Sequence, residues 1–286
     1  MADNRSLACM TLSVSMFLVA LTLCGRGVAE AELPAGGVQD RENGISIEPQ
    51  ILEEIRRIVG NIRVSYGADS KTAPLDLLKG PLLQNEFQYI FVRGSLWAWG
   101  GPGRPQAVLS LSLAGRADNP QWCHEMASLS AKPIMATTRG NVWWSAQEAG
   151  WNPKPVPDAQ GVADTPEQRI TQMRQLAGQF SGYTYYKDPK NTVVLTLRDE
   201  PVLHYGASGN TVDGTVFAFV GGRSDPEILL VIEAERDAQG NLIWEFDAAP
   251  LSSNALIIKH HDKQVWFRPQ VGLYGTKATD TYRIYF

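Results

Sequence analysis

The chain has 286 residues, with 26 Lys and Arg against 30 Asp and Glu, a formal net charge of −4. That balance excludes a polyanion binder such as a nucleic-acid protein, which needs a surplus of cations. A hydrophobic content of 44% provides for a sizeable core, and the length allows one large domain or two of ordinary size.

Residues 1–31 read as a secretory signal. Arg5 and the Met1 amine make a weakly positive start, residues 7–24 are apolar apart from small hydroxyl side chains, and Ala29-Glu30-Ala31 supplies a small-x-small cleavage site. Cleavage is expected after Ala31. The apolar run is long for a signal and approaches a membrane span, so an uncleaved anchor stays open. A lipidated N-terminus also stays open, because Leu21-Thr22-Leu23-Cys24 loosely resembles a lipobox. Either way the protein is expected outside the cytoplasm, periplasmic or secreted, meeting a membrane only through that signal. Of three cysteines, Cys9 and Cys24 fall in the signal. Cys123 alone remains, so packing rather than disulfides must stabilise the fold.

After an N-terminal linker at 32–48, Ile51, Leu52, Ile55, Ile58 and Val59 recur at helical spacing. Short β-like runs follow at 88–92, 96–99, 107–113, 122–129, 134–138 and 142–145, broken by turn residues such as Gly100-Gly101-Pro102-Gly103. Residues 151–165, rich in proline, read as a linker. Thr165-Pro166-Glu167 then opens a second helix with Ile170, Met173, Leu176 and Ala177 on one face. Gly60 and Gly178 sit where the two helices would stop. A second series of β-like runs covers 215–220, 228–234, 242–248, 255–259 and 264–267. The closing segment, 272–286, is expected to dock on the second module.

The two stretches resemble each other. At an offset of 120 residues Tyr66, Thr72, Leu75, Leu77, Pro81, Leu83, Val92, Gly94 and Ala98 recur as Tyr186, Thr192, Leu195, Leu197, Pro201, Leu203, Val212, Gly214 and Ala218. At 122, Trp122, Trp144 and Gly150 meet Trp244, Trp266 and Gly272. The expected fold class is therefore α+β, with two repeated modules at 49–150 and 166–286, each one helix packed on an antiparallel β-meander.

Chemistry is sparse. No nucleophile elbow, zinc helix, Walker loop or dinucleotide fingerprint occurs, so no catalytic, cofactor-binding or metal-binding residue is assigned. Cys123 and His124 are neighbours on a strand and point to opposite faces, so they cannot act as a nucleophile and its base. His260 and His261 adjoin Asp262 at a polar turn, and His204 corresponds to Gln84, which is no base. Trp97/Trp99 and Phe217/Phe219 alternate at period two, so each pair shares one sheet face. Such faces usually pack in a core. If one is left uncovered, these four residues are the candidate aromatic binding face.

The block from Asp213 to Val220, followed by Pro226-Glu227-Ile228-Leu229-Leu230, Trp244 and Val265-Trp266, resembles that of exported planctomycete proteins of unknown function. Arg93-Gly94-Ser95-Leu96-Trp97-Ala98-Trp99 looks like a variant of it. The resemblance implies an exported location and no activity. The function expected is a non-enzymatic exported binding or scaffold protein whose partner is a ligand or an envelope protein. An envelope-associated hydrolase and a carrier of lipid or lipoprotein are the alternatives.

Overall fold

The computed structural model describes residues 49–67, 72–86, 93–116, 119–222, 225–272 and 274–286. The signal, the N-terminal linker and the run at 88–92 lie outside the described residues. Residues from Ile45 to Phe286 form one compact unit.

Helix α1, Pro49–Gly60, buries Ile55 and Val59 completely and leaves Ile51, Leu52 and Ile58 partly covered. Glu54 and Arg57 pair on its outer side. Asn61 ends it, its Nδ2 donating to the Arg57 carbonyl at 2.7 Å. Helix α2, Pro166–Ala177, starts at Thr165, whose hydroxyl accepts from the Gln168 amide, and buries Met173, Leu176 and Ala177.

The remainder is mostly strand, and every pairing is antiparallel. In the first half β1 (Ile62–Tyr66), β7 (Ile134–Thr138) and β8 (Asn141–Ala146) form a three-stranded sheet in the order β1-β7-β8. Beside it runs a meander of β4 (Arg93–Gly100), β5 (Ala107–Arg116) and β6 (Asn119–Ser128). The short β2 (Asp76–Leu77) and β3 (Leu83–Glu86) both pair with β4. The second half pairs in the same order: β10 (Phe180–Tyr185), β16 (Ala255–His260) and β17 (Lys263–Arg268) on one side, with β13 (Thr211–Gly221), β14 (Asp225–Arg236) and β15 (Leu242–Pro250) as the meander. There β11 (Val193–Leu197) joins β10 to β13, so the sheet is continuous, while β12 (Leu203–Ser208) lies on β13. Among the described residues of the first half that junction is one isolated bridge, Ser65 to Pro74.

The expected class is corrected on this evidence. Among the described residues the protein is predominantly antiparallel β with two 12-residue α-helices, not a pair of α+β modules with one helix on one meander. Length gives the reason. A helix of that size covers about 18 Å, whereas the 12 residues of β14 span about 40 Å, so the helix cannot close the face of its meander. The sheet curls instead, and β1-β7-β8 or β10-β16-β17 cover the rest.

The other face of each meander is also buried. Leu96, Ala98, Val108, Cys123 and Ala127 of the first half pack in one cluster with Val216, Ala218, Val220, Leu229 and Val231 of the second. Strands hidden on both faces explain the unbroken apolar run Ile228-Leu229-Leu230-Val231-Ile232.

Two connecting segments cover the outer meander edges, which would otherwise expose unpaired backbone groups. Strand β9 (Lys154–Pro155), inside the expected linker, pairs with β15. The closing segment pairs with the first half, β18 (Tyr282–Tyr285) running against β6, while Tyr282 also lies under the Arg268 guanidinium of the second, 4.1 Å from it. Just before it, Ala278 and Thr279 accept from the Ser145 and Gln147 amides of the β8 region. The Trp144 indole donates to the Asp280 carbonyl at 2.8 Å, so this segment stitches β8 to β6.

Candidate functional site

The expected aromatic face is not available to a ligand. Trp97, Trp99, Phe217 and Phe219 are each at most 3% exposed and fill the inside of the two curled sheets. Large rings at alternate positions are what close so wide a curl. Cys123 is buried in the shared cluster. His124 faces the other way.

That opposite face leads to a groove of about 430 Å³ at the mouth of the first half. Its lining comes from four places. The end of α1 and the turn after it bring Arg57, Ile58, Asn61 and Ile62; the β7–β8 hairpin brings Thr138, Arg139 and Asn141. The sheets supply the rings of His124, Trp143 and Tyr285. Trp143 and Tyr285 lie 6.3 Å apart with their planes inclined by 30°, and His124 stands 6.1 Å from Trp143 and 6.0 Å from Tyr285. Register places His124 opposite Tyr285 on the β6–β18 pair, which is why two residues so distant in sequence share a wall.

The electrostatics follow from burial. Desolvation holds His124 below the ordinary imidazole range, with the backbone carbonyls of Trp122 and Tyr285 partly opposing it. Its Nδ1 has no hydrogen-bond partner among the described residues. The permanent positive charges of the groove are those of Arg57 and Arg139. Arg57 is engaged by Glu54, with contacts of 2.6 and 2.8 Å. Arg139 sits exposed at a left-handed turn position, φ 51°, followed by Gly140 at φ 81°, and makes no ion pair among the described residues. The arrangement is an aromatic slot with a cationic rim. It can hold an apolar or planar group and a carboxylate.

In the second half Phe180 is paired with His260 across β10 and β16, as Ile62 is with Thr138 across β1 and β7, and the rings around it are packed together. Phe180 packs 4.9 Å from Phe246 and 4.8 Å from His260. The segment 154–159 runs across them. Lys154 Nζ donates to the Val265 carbonyl at 3.2 Å, and the Val156 amide to the Trp244 carbonyl at 2.8 Å. The Val156 side chain is 5% exposed in the same cluster as Phe180 and Phe246, and Asp158 lies close enough to act electrostatically on His260.

Two buried ionic groups form a second candidate. Asp213 accepts from Arg169 Nε at 2.9 Å and from the Gly214 amide at 3.1 Å, and meets His204 Nε2 at 2.6 Å. Glu233 accepts from Arg104 at 2.6 Å and from the Tyr205 hydroxyl at 2.9 Å. His204 makes no hydrogen bond to a hydroxyl among the described residues. The shallow groove nearby, about 320 Å³, is walled by Gly101, Pro102, Gly103 and the β12 strand. These groups tie α2 to β13 and the β4–β5 hairpin to β14; they are structural clasps.

No family model, curated protein or solved structure matches the chain. Among the described residues no three His, Cys, Asp or Glu side chains cluster as a metal site, and no helix is long and apolar enough to cross a membrane.

Local sequence pattern does not mark Arg57, Arg139, Trp143 or Tyr285 as neighbours of one opening, and alternation along β6 separates His124 only from Cys123. One signal was present. Trp143 and Trp144 are adjacent on a strand, so only one can face inward; Trp144 is fully buried and Trp143 borders the groove.

Proposed function

We propose that this protein is a non-enzymatic binding or scaffold protein working outside the cytoplasm, and that the groove of His124, Trp143 and Tyr285 holds its ligand or partner. One observation carries the reading: of two corresponding mouths, one is filled by the chain's own residues 154–159, while the other is open, ring-lined and rimmed by arginines. An open aromatic slot with few polar groups at its edge fits recognition. Filled cores beneath both mouths favour a small group or a segment over a swallowed acyl chain. The recurrence of the pairing order, together with the paired tryptophans, supports an internal duplication in which one copy kept its mouth open. The export reading rests on the signal-like residues 1–31.

Site-specific photo-crosslinking tests this. A benzoylphenylalanine placed at Asn141, on the groove rim, should give discrete adducts in producing cells that the same group at Lys190, on the second half, does not. Trp143→Ala should suppress them while leaving the circular dichroism spectrum unchanged. Adducts equally strong from both positions, or indifferent to Trp143→Ala, would refute the site.

A further inference from the structure

The geometry points to a second contact surface: the outer face of β10, β11, β16 and β17 docks on an anionic lipid membrane. It belongs to the second half, shares no residue with the groove, and adds to any contact made by residues 1–31.

Alternation along these strands decides what faces out. Leu195, Leu256 and Ile258 belong to the core of the second half, and a methyl on Gly182 would strike the Phe219 ring, so these positions point inward. Their neighbours point to solvent. Register sets Val194 opposite Tyr183, Tyr183 opposite Ile257 and Ile257 opposite Phe267, so the four form one apolar row across four strands. With neighbouring strands about 4.8 Å apart, the row is about 14 Å long. Val194 is 67% and Phe267 46% exposed, while Tyr183 and Ile257 between them are half-buried. Tyr186 and Val193, at either end of the β10–β11 turn, are exposed as well. Contiguous apolar surface of this kind marks a contact with a partner or a membrane.

The charge around the row selects between them. The four strands contain no Asp or Glu, in a chain whose net charge is −4. Lys259 and Lys263 stand on one side of the row, and Lys187 and Lys190, in the β10–β11 turn, on the other. None of the four is in an ion pair among the described residues. Two acids share the flanking turns. Asp188 is engaged by its own loop, accepting from the Lys190 amide at 3.0 Å and from Asn191 Nδ2 at 3.2 Å, and Asp262 stands in the β16–β17 turn. Lys259 Nζ lies 4.8 Å from the Tyr183 ring centroid and Lys187 Nζ 4.9 Å from that of Tyr186. Stems laid over rings, with the ammonium groups at the margin, match a bilayer interface, which brings hydrocarbon to the row and phosphate to the lysines. A polyanion without apolar surface would leave Val194 and Phe267 uncovered. Within the row only the Tyr183 hydroxyl can hydrogen-bond through its side chain, which suits lipid better than a protein surface.

Sedimentation of the full chain with vesicles tests this, using phosphatidylcholine alone and three parts phosphatidylcholine to one part phosphatidylglycerol. Residues 7–24 carry no charge, so their contribution is the same on both vesicles. The protein should partition about tenfold more strongly onto the anionic vesicles, and the difference should shrink as salt is raised. Lys187→Glu combined with Lys190→Glu should remove most of that difference, since each lysine at an anionic surface contributes about fivefold. Val194→Asp combined with Phe267→Asp should remove it too, by placing acids where hydrocarbon must lie. All four positions are exposed, and unchanged melting temperatures certify that both variants are folded. Equal partition onto the two vesicle types, or variants that partition as the wild type does, would overturn the membrane assignment. So would a discrete protein adduct from benzoylphenylalanine at Val194 in producing cells that Phe267→Asp abolishes, because the face would then belong to an acidic protein.

Discussion

Arg104→Ala offers the sharpest test of how the two halves are held. Arg104 belongs to the β4–β5 hairpin of the first half and Glu233 to β14 of the second; their side chains are 13% and 1% exposed and meet at 2.6 Å. Removing the guanidinium leaves a buried carboxylate with only the Tyr205 hydroxyl, and breaking such a pair costs about 3–5 kcal/mol. The donation from Arg104 Nε to the Leu129 carbonyl is also lost, as is the stacking of the guanidinium 3.9 Å from the Trp151 ring, each worth about 1 kcal/mol. Together these losses come to about 5–7 kcal/mol, so for a unit of this size the melting temperature should fall by about 10–28 °C. Burial already lifts Glu233 above the ordinary carboxylate range, and Arg104 is the largest influence pulling it back. Without Arg104 it rises further. A raised acid binds its proton more tightly when folded, so the damage should be smallest at acid pH and grow as pH climbs through the folded value. Urea denaturation of the wild type, Arg104→Ala, Glu233→Gln and the double variant at pH 4.5 and 7.5 reads this out. The double variant should recover about 2–3 kcal/mol of the single loss, because no charge is then stranded. A cost for Arg104→Ala below about 1 kcal/mol at both pH values, or strict additivity in the double variant, would refute the account.

Asp247 gives a second pH signature. It is 7% exposed and pushed up to about 6 by burial, against amide donation from Asn152 and Ala248. The folded state therefore holds its proton more tightly than the unfolded chain, and about 3 kcal/mol of stability is lost as pH rises from about 4 to 6. Asp247→Asn should flatten that stretch of the stability profile; parallel wild-type and variant curves would contradict it. Gly214→Ala probes close packing, since a methyl there would collide with the Tyr205 ring. Overpacking should cost about 1–3 kcal/mol in denaturant melts and largely disappear when Tyr205 is also replaced by leucine; a neutral Gly214→Ala would show that β13 and β12 are free to separate.

Local periodicity and punctuation determined both helices, most strands and the inward faces of Ile55, Val59, Met173 and Leu176, because each depends on residues a few positions apart. It also separated Cys123 from His124, since alternation along a strand is local. What the sequence left open required partners from elsewhere in the chain. The fold class depended on whether a 12-residue helix could cover its meander, which is a matter of relative lengths after folding. Alternation places Trp97 with Trp99 and Phe217 with Phe219 on one sheet face and favours a core, but only the tertiary structure shows those faces covered. Residues 151–165 looked like a spacer because prolines mark loops, yet Val156 became core once β9 paired with β15. The groove is the extreme case: Arg57, His124, Arg139 and Tyr285 come from four distant stretches, and only the return of β18 to β6 puts them around one opening. Sequence spacing carries information within an element, whereas which edge a strand joins is settled by the competition of all exposed edges for a partner.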